Sequence, residues 1–249
     1  MKVATLVLAL TCLVSGGAFA AEPLKLVSAG FLDVDAQLHA AKGHPNEEWR
    51  LNGLKSYLGG HYDEAVDRFE RAAYFADKHA QHYLGLIFWH GQGVATDRVR
   101  GYIWSDLAAE RGNRRLLAIR ENMWSQLSAQ ERQQAMAEGA AFYDRYGDAV
   151  AQPRAEAEIR RFARGMTGSR VGFRNQAMDV LNGGPINGSF GNATPGMLAA
   201  SVAVNGGTTG EKLYADERVR LKDYWRAQDR ELERTGRVEL GPITTARKP

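Results

Sequence analysis

Apolar residues recur at helical spacing through the first two thirds of the chain, and glycines punctuate them. The clearest stretch runs from 80 to 113. Tyr83, Leu84, Ile87 and Phe88 fall on one face of a helix. The run GQGV breaks that helix, and Gly91 and Gly93 supply the positive φ angles a tight interhelical turn needs. Asp97 stands where a second helix begins, at the end whose partial positive charge favours a carboxylate. Trp104, Leu107, Ala108 and Ala109 form its apolar face, and Gly112 ends it. The small residues Gly85, Gly101, Ala108 and Ala109 let neighbouring helices approach closely.

The same pattern appears upstream. Trp49, Gly53, Leu54 and Leu58 predict a helix from Asn46, Gly59-Gly60 a turn, and Tyr62, Ala65, Phe69 and Ala72 a second helix. Gly53 and Gly85 hold equivalent places, close to the ~34-residue period of stacked helical hairpins. A third, degenerate pair follows. Leu116, Leu117, Ile119, Met123 and Trp124 mark its first helix. Ser128 and Glu131 form a capping box that opens the second, whose inner face is Ala135, Ala141, Phe142 and Tyr146. A weak motif with a clean stop at Gly147 suits a terminal capping unit.

The repeat resembles the Sel-1-like repeat, a relative of the tetratricopeptide repeat. Leu84-Gly85, Gly91-Gln-Gly93-Val94, Asp97, Trp104, Ala108-Ala109 and Gly112 match its running pattern in register. Gly101 departs from the alanine usual there, which predicts a slightly looser second helix. The upstream unit is similar to a tetratricopeptide hairpin. The resemblance covers residues 46–147 and implies an α/α solenoid that serves as a binding scaffold.

Outside the repeats the pattern changes. Residues 21–45 form a lead-in with a short helix over Phe31–Gly43, broken at His44-Pro45. A break at Gly147–Pro153 precedes an amphipathic helix, the packing helix of residues 148–166, with Ala155, Ile159, Phe162, Ala163 and Met166 on its stripe. From 167 to 249 glycine, asparagine and serine dominate. SVAV at 201–204 reads as a short strand, residues 216–235 as a helix, and Val238 with Leu240 as a last short strand. The fold class is therefore an all-α helical-repeat solenoid with a glycine-rich C-terminal extension, either a small mixed α/β module or partly ordered.

Composition sharpens this picture at the N-terminus. Lys2, an apolar run and Ala18-Phe19-Ala20 predict a signal peptide over 1–20, cut after Ala20. The single cysteine, Cys12, lies within it, so the mature chain has no disulfide, thiol nucleophile or cysteine metal site. Export without cysteine points to the bacterial periplasm or to secretion, with no stable membrane insertion after cleavage. Formal net charge is +3, and no stripe concentrates basic with aromatic residues, which argues against nucleic acid.

The candidate chemistry is sparse. All six histidines lie at or before His90, so the C-terminal region contains no histidine for a Ser-His or Cys-His mechanism. Among its carboxylates, Asp216, Glu217, Glu231 and Glu233 sit among arginines, which favours solvated ion pairs over catalysis. Gly91, Gly183 and Gly206 begin turns rather than phosphate loops, because neither fingerprint around them is complete. His79 and His82 share a helix face, yet His90 lies too far along to complete a metal site.

Laid over the repeat, Arg50, Tyr57, His79, His82, Trp89 and His90 line the inner groove. That aromatic and cationic mixture suits an acidic or C-terminal peptide. The expected function is a non-catalytic scaffold or adaptor that needs no cofactor and binds a protein or peptide partner. Its groove variant, Arg50→Ala with Trp89→Ala, is expected to lose the partner without losing stability. The alternative is an enzymatic or glycan-binding C-terminal module, with Tyr214, Tyr224 and Trp225 stacking on sugars.

Overall fold

The computed structural model describes residues 34–166, 179–180, 208–209 and 215–235. The predicted signal peptide, the 201–204 strand, Tyr214 and the Val238–Leu240 strand lie outside the described residues. The described chain is predominantly α-helical. Its helices are α1 Val34–Ala40, α2 Pro45–Leu58, α3 Tyr62–Tyr74, α4 Lys78–His90, α5 Arg98–Ala109, α6 Arg114–Gln126, α7 Ala129–Tyr146 and α8 Asp148–Met166. A two-residue antiparallel ladder joins β1 (Asp179–Val180) to β2 (Thr208–Thr209). Then come α9, Asp216–Val219, and α10, Leu221–Thr235. The last predicted helix is thus two pieces that meet at Arg220. The break expected at Gly147–Pro153 shrinks to Gly147 alone, and Pro153 lies inside α8.

Helices pack chiefly on their sequence neighbours, most closely α2 on α3 and α4 on α5. Each start has a local cause. Pro45 opens α2, where its missing N–H is not needed. Asp77 and Asp97 accept the Ala80 and Arg100 N–H groups at 2.8 Å, capping α4 and α5. Ser128 and Glu131 form the predicted capping box at α7. Gly91 and Gly93 hold φ of 68° and 71°.

The largest core runs through α2, α3, α4 and α5. Leu54, Phe69, Leu84 and Trp104 are completely buried in it. Trp104 packs on Phe142 and Tyr146 of α7, with ring centroids 5.3 and 4.7 Å away. Gly85 and Gly101 face each other where the backbones of α4 and α5 touch. A Cβ on Gly101 would stand 2.8 Å from the Trp89 nitrogen and 3.0 Å from the Gly85 carbonyl oxygen. Gly101 is therefore a contact point between helices, and glycine is what the close approach requires.

Candidate functional site

The first turn of α2 contains Asn46, Glu47 and Glu48. The helix dipole favours the acids there. Glu47 turns inward and is buried, on the same stripe as Arg50, Leu51 and Leu54. What covers it is the C-terminal pair of helices. Arg218 Nη1 of α9 donates to the Glu47 oxygens at 3.0 and 2.8 Å. Gln228 Nε2 of α10 donates to Glu47 Oε1 at 2.9 Å.

Tyr224 Oη lies 2.9 Å from Glu47 Oε1 and 2.8 Å from Asn46 Oδ1, while Asn46 Nδ2 is buried without a partner. Turning the Asn46 amide over relieves the phenol of facing two acceptors with one proton, and leaves Oδ1 as the unpartnered atom. Nδ2 then donates to Tyr224 Oη, and the phenol proton goes to Glu47. Burial alone would raise the Glu47 carboxyl. Arg218 outweighs it, helped by Arg50, and holds Glu47 below the usual carboxylate range.

His44 completes this end. Its Nε2 stands 2.9 Å from the Arg218 carbonyl oxygen, and its Nδ1 stands 2.8 Å from Arg218 Nη2. A guanidinium only donates, so Nδ1 accepts and the ring is neutral with its proton on Nε2. Burial and the Arg218 charge push the His44 pKa down. Arg218 Nη2 also donates to the Ala40 carbonyl at 2.7 Å.

The other end of the face is built on Arg50. Arg50 Nε lies 3.2 Å from Asp77 Oδ2, and Arg50 Nη1 lies 3.2 Å from Glu231 Oε1. The Arg50 and Asp77 side chains are 4% and 0% exposed, so the pair survives only as a pair. Burial pushes Asp77 up to about 6, against the pull of Arg50 and the Ala80 N–H. Arg50 itself is raised: burial opposes its charge, and Asp77 and Glu231 more than compensate.

Arg111, in the α5–α6 turn, binds Asp148 through Nε at 2.7 Å and Nη2 at 3.1 Å. It also donates to Asp229 at 3.1 Å and to the Ala76 carbonyl at 3.0 Å. Its guanidinium stacks 4.9 Å from the Trp225 ring centroid. Beside it the buried Lys78 Nζ ties Glu110 at 2.7 Å, Asp148 at 3.0 Å and the Leu107 carbonyl at 2.9 Å. The far end of α10 places Leu232 against Ala108, Ala109 and Leu116.

The six groove candidates are distributed differently from the expectation. Arg50, Tyr57, His79 and His82 are buried, Trp89 is half-buried under the Arg98 guanidinium, and His90 is exposed. They do not form one open surface. Arg50 is brought onto the C-terminal helix, whereas Tyr57 packs on Tyr62 with ring centroids 5.2 Å apart. His79 Nε2 and His82 Nδ1 are buried with no hydrogen-bond partner among the described residues. Burial lowers both; Arg50 adds to this at His79, and His82 falls to about 4. The expectation that Arg50→Ala leaves stability intact is also corrected, because that change strands Asp77 in the core.

Tyr224 and Trp225 are buried rather than displayed for sugars, and Glu231 is engaged by Arg50. Among the described residues no group of three or more His, Cys, Asp or Glu side chains is placed to hold a metal ion. No described helix is long and apolar enough to cross a membrane. Sequence reasoning misses Arg111 and Arg218 and leaves Glu47 out of the groove candidates. Glu47 leaves a signal, since it shares the i, i+3, i+4, i+7 stripe of Arg50, Leu51 and Leu54. No family model, curated protein or solved structure matches this chain.

Proposed function

We propose that this chain is a non-catalytic interaction scaffold of the bacterial envelope. In this reading α2 to α7 form a solenoid of the Sel-1-like and tetratricopeptide type, and its inner face binds a helical segment of a protein or peptide. One observation carries the reading: that face already holds an amphipathic helix, seated on the buried Glu47 carboxylate. Helix-in-groove recognition uses this combination of an aromatic anchor, a stripe at helical spacing and flanking charge. The matched Leu84-Gly85 to Gly112 motif supports the repeat assignment. Absence of catalysis is inferred from the pairing of Glu47, Asp77, Asp148 and Glu231 with cations, which commits those carboxylates to holding the fold.

The test is affinity capture from envelope extract with the mature full-length protein, wild type beside Glu47→Arg. Melting curves first establish that both are folded. Partners enriched by the wild type and lost in the variant support the scaffold and its face. Partners indifferent to Glu47 move binding to the region after residue 167. No enriched partner overturns the reading.

A further inference from the structure

The face that holds α9 and α10 has an order of charge. Its acidic end is Glu47, which accepts from Arg218, Tyr224 and Gln228. Its other end is Arg50 and Arg111, each already paired beneath the helix, to Asp77 and to Asp148, and each with a further N–H that binds Glu231 or Asp229. Tyr224 and Trp225 sit between the two ends, buried against Ala76, Ala151, Ala155 and Ile159. A helix that fits must therefore present a guanidinium at its N-terminal end, an aromatic pair in the middle and acids toward its C-terminus. Reversing the helix would set acid against Glu47 and base against Arg50, and like charges across an interface are costly.

The seat is also imperfectly filled. A cavity of ≈240 Å³ lies between α1, α2 and α10, lined by Gln37, Glu47, Arg50, Ala227, Gln228 and Glu231, among others. Ala227 contributes a small side chain to that lining. A helix with a longer polar side chain at this place would fill it and gain contacts that the chain's own helix lacks.

We propose that α9–α10 is an internal stand-in for the partner, and that the partner is an amphipathic helix of the same charge order that displaces it. This rests on the scaffold reading above and adds to it the class of ligand and the self-occupied state. The polar character of the contact supports exchange. Most of its anchors are ion pairs and hydrogen bonds, which water and an incoming ligand can replace one at a time.

The test uses a fluorescent peptide of residues 214–236 titrated into full-length protein by anisotropy. Arg218→Glu opposes its own Glu47 and vacates the face, leaving every array residue intact. The peptide should bind this variant at least tenfold more tightly than wild type. Glu231→Lys opens the other end through a half-exposed side chain, and should act in the same direction if Arg218→Glu fails to fold. An Ala227→Gln peptide should bind more tightly than the native one. The charge swap completes the set: Glu47→Arg protein should reject the native peptide and bind one carrying Arg218→Glu.

Equal binding by wild type and both opened variants overturns self-occupancy, while sensitivity to Glu47 would leave the scaffold face standing. No binding by any variant overturns the proposed ligand class. In that case envelope capture decides the scaffold reading independently.

Discussion

The contact between α4 and α5 is apolar throughout, whereas the contact between α10 and the helices beneath it joins apolar packing to ion pairs. The first is also close. Gly85 and Gly101 bring two backbones together, and Leu84, Ile87, Trp104 and Leu107 fill the space around them. The second adds anchors of charge. Glu47, Arg50 and Arg111 each bind a counter-charge from residues 218–231. Apolar packing between sequence neighbours costs little chain entropy and depends weakly on salt. A charged contact between segments far apart in sequence closes a long loop, and salt reaches it at its half-exposed carboxylates, Asp229 and Glu231. The first kind of contact suits a permanent frame, and the second suits a part that exchanges.

That contrast is broken most severely inside the frame. Trp104→Ala removes a completely buried indole packed on Phe142 and Tyr146. It should cost about 3–5 kcal/mol in denaturant unfolding and loosen α4 to α7 together. Arg50→Ala should cost a similar amount, about 3–5 kcal/mol, because it leaves the Asp77 carboxyl in the core without its counter-charge. Arg50→Ala with Asp77→Asn should recover part of that loss. A single variant as stable as wild type would show that the pair is not buried in solution.

Acid should act next. His82 has a folded pKa of about 4 against an ordinary 6.5, so between those values the unfolded chain holds a proton that the folded chain lacks. Its contribution is complete above about 6.5 and is lost as pH falls toward 4, amounting to about 3 kcal/mol. His44 and His79, also lowered, add to the loss in the same direction. Asp77 opposes them, since its raised pKa of about 6 makes the folded chain the better proton binder between about 4 and 6. Histidines should dominate, and His82→Gln should flatten the curve. A wild-type stability that stays level from pH 7 to 4.5 would contradict neutral buried histidines.

Salt gives the smallest and most selective effect. Raising ionic strength from 0.1 to 1 M shortens the screening length from about 10 to 3 Å. Amide exchange in α10 should speed up several-fold, while the amides of α4 and α5 stay protected. Equal changes in both regions would remove the distinction between frame and exchangeable helix.

Much of the frame is legible in the sequence. Tyr83 to Phe88 and Trp104 to Ala109 announce their helices because a 3.6-residue period is a local property, and Gly91 and Gly93 announce the turn because few other residues adopt their φ. Ser128 and Glu131 announce a helix start for the same reason: both partners lie within one turn. The candidate site is legible only in fragments. Periodicity places Arg50 on an inner stripe but misjudges its exposure, because a helix face does not say what will cover it. Tyr224 and Trp225 stand out as an apolar stripe, with no indication of the surface they meet.

The sequence by itself determined which segments become helices, where they stop and which faces are apolar, since these depend on residues within a turn or two of one another. Only the tertiary structure decided that α9 and α10 return to α2. The bonds from Arg218 and Tyr224 to Glu47 span 171 and 177 residues. No periodicity reports a contact of that range. It exists because a buried carboxylate needs donors, and the folded array offers Glu47 no better source than the arginine, tyrosine and glutamine of the chain's own last helices.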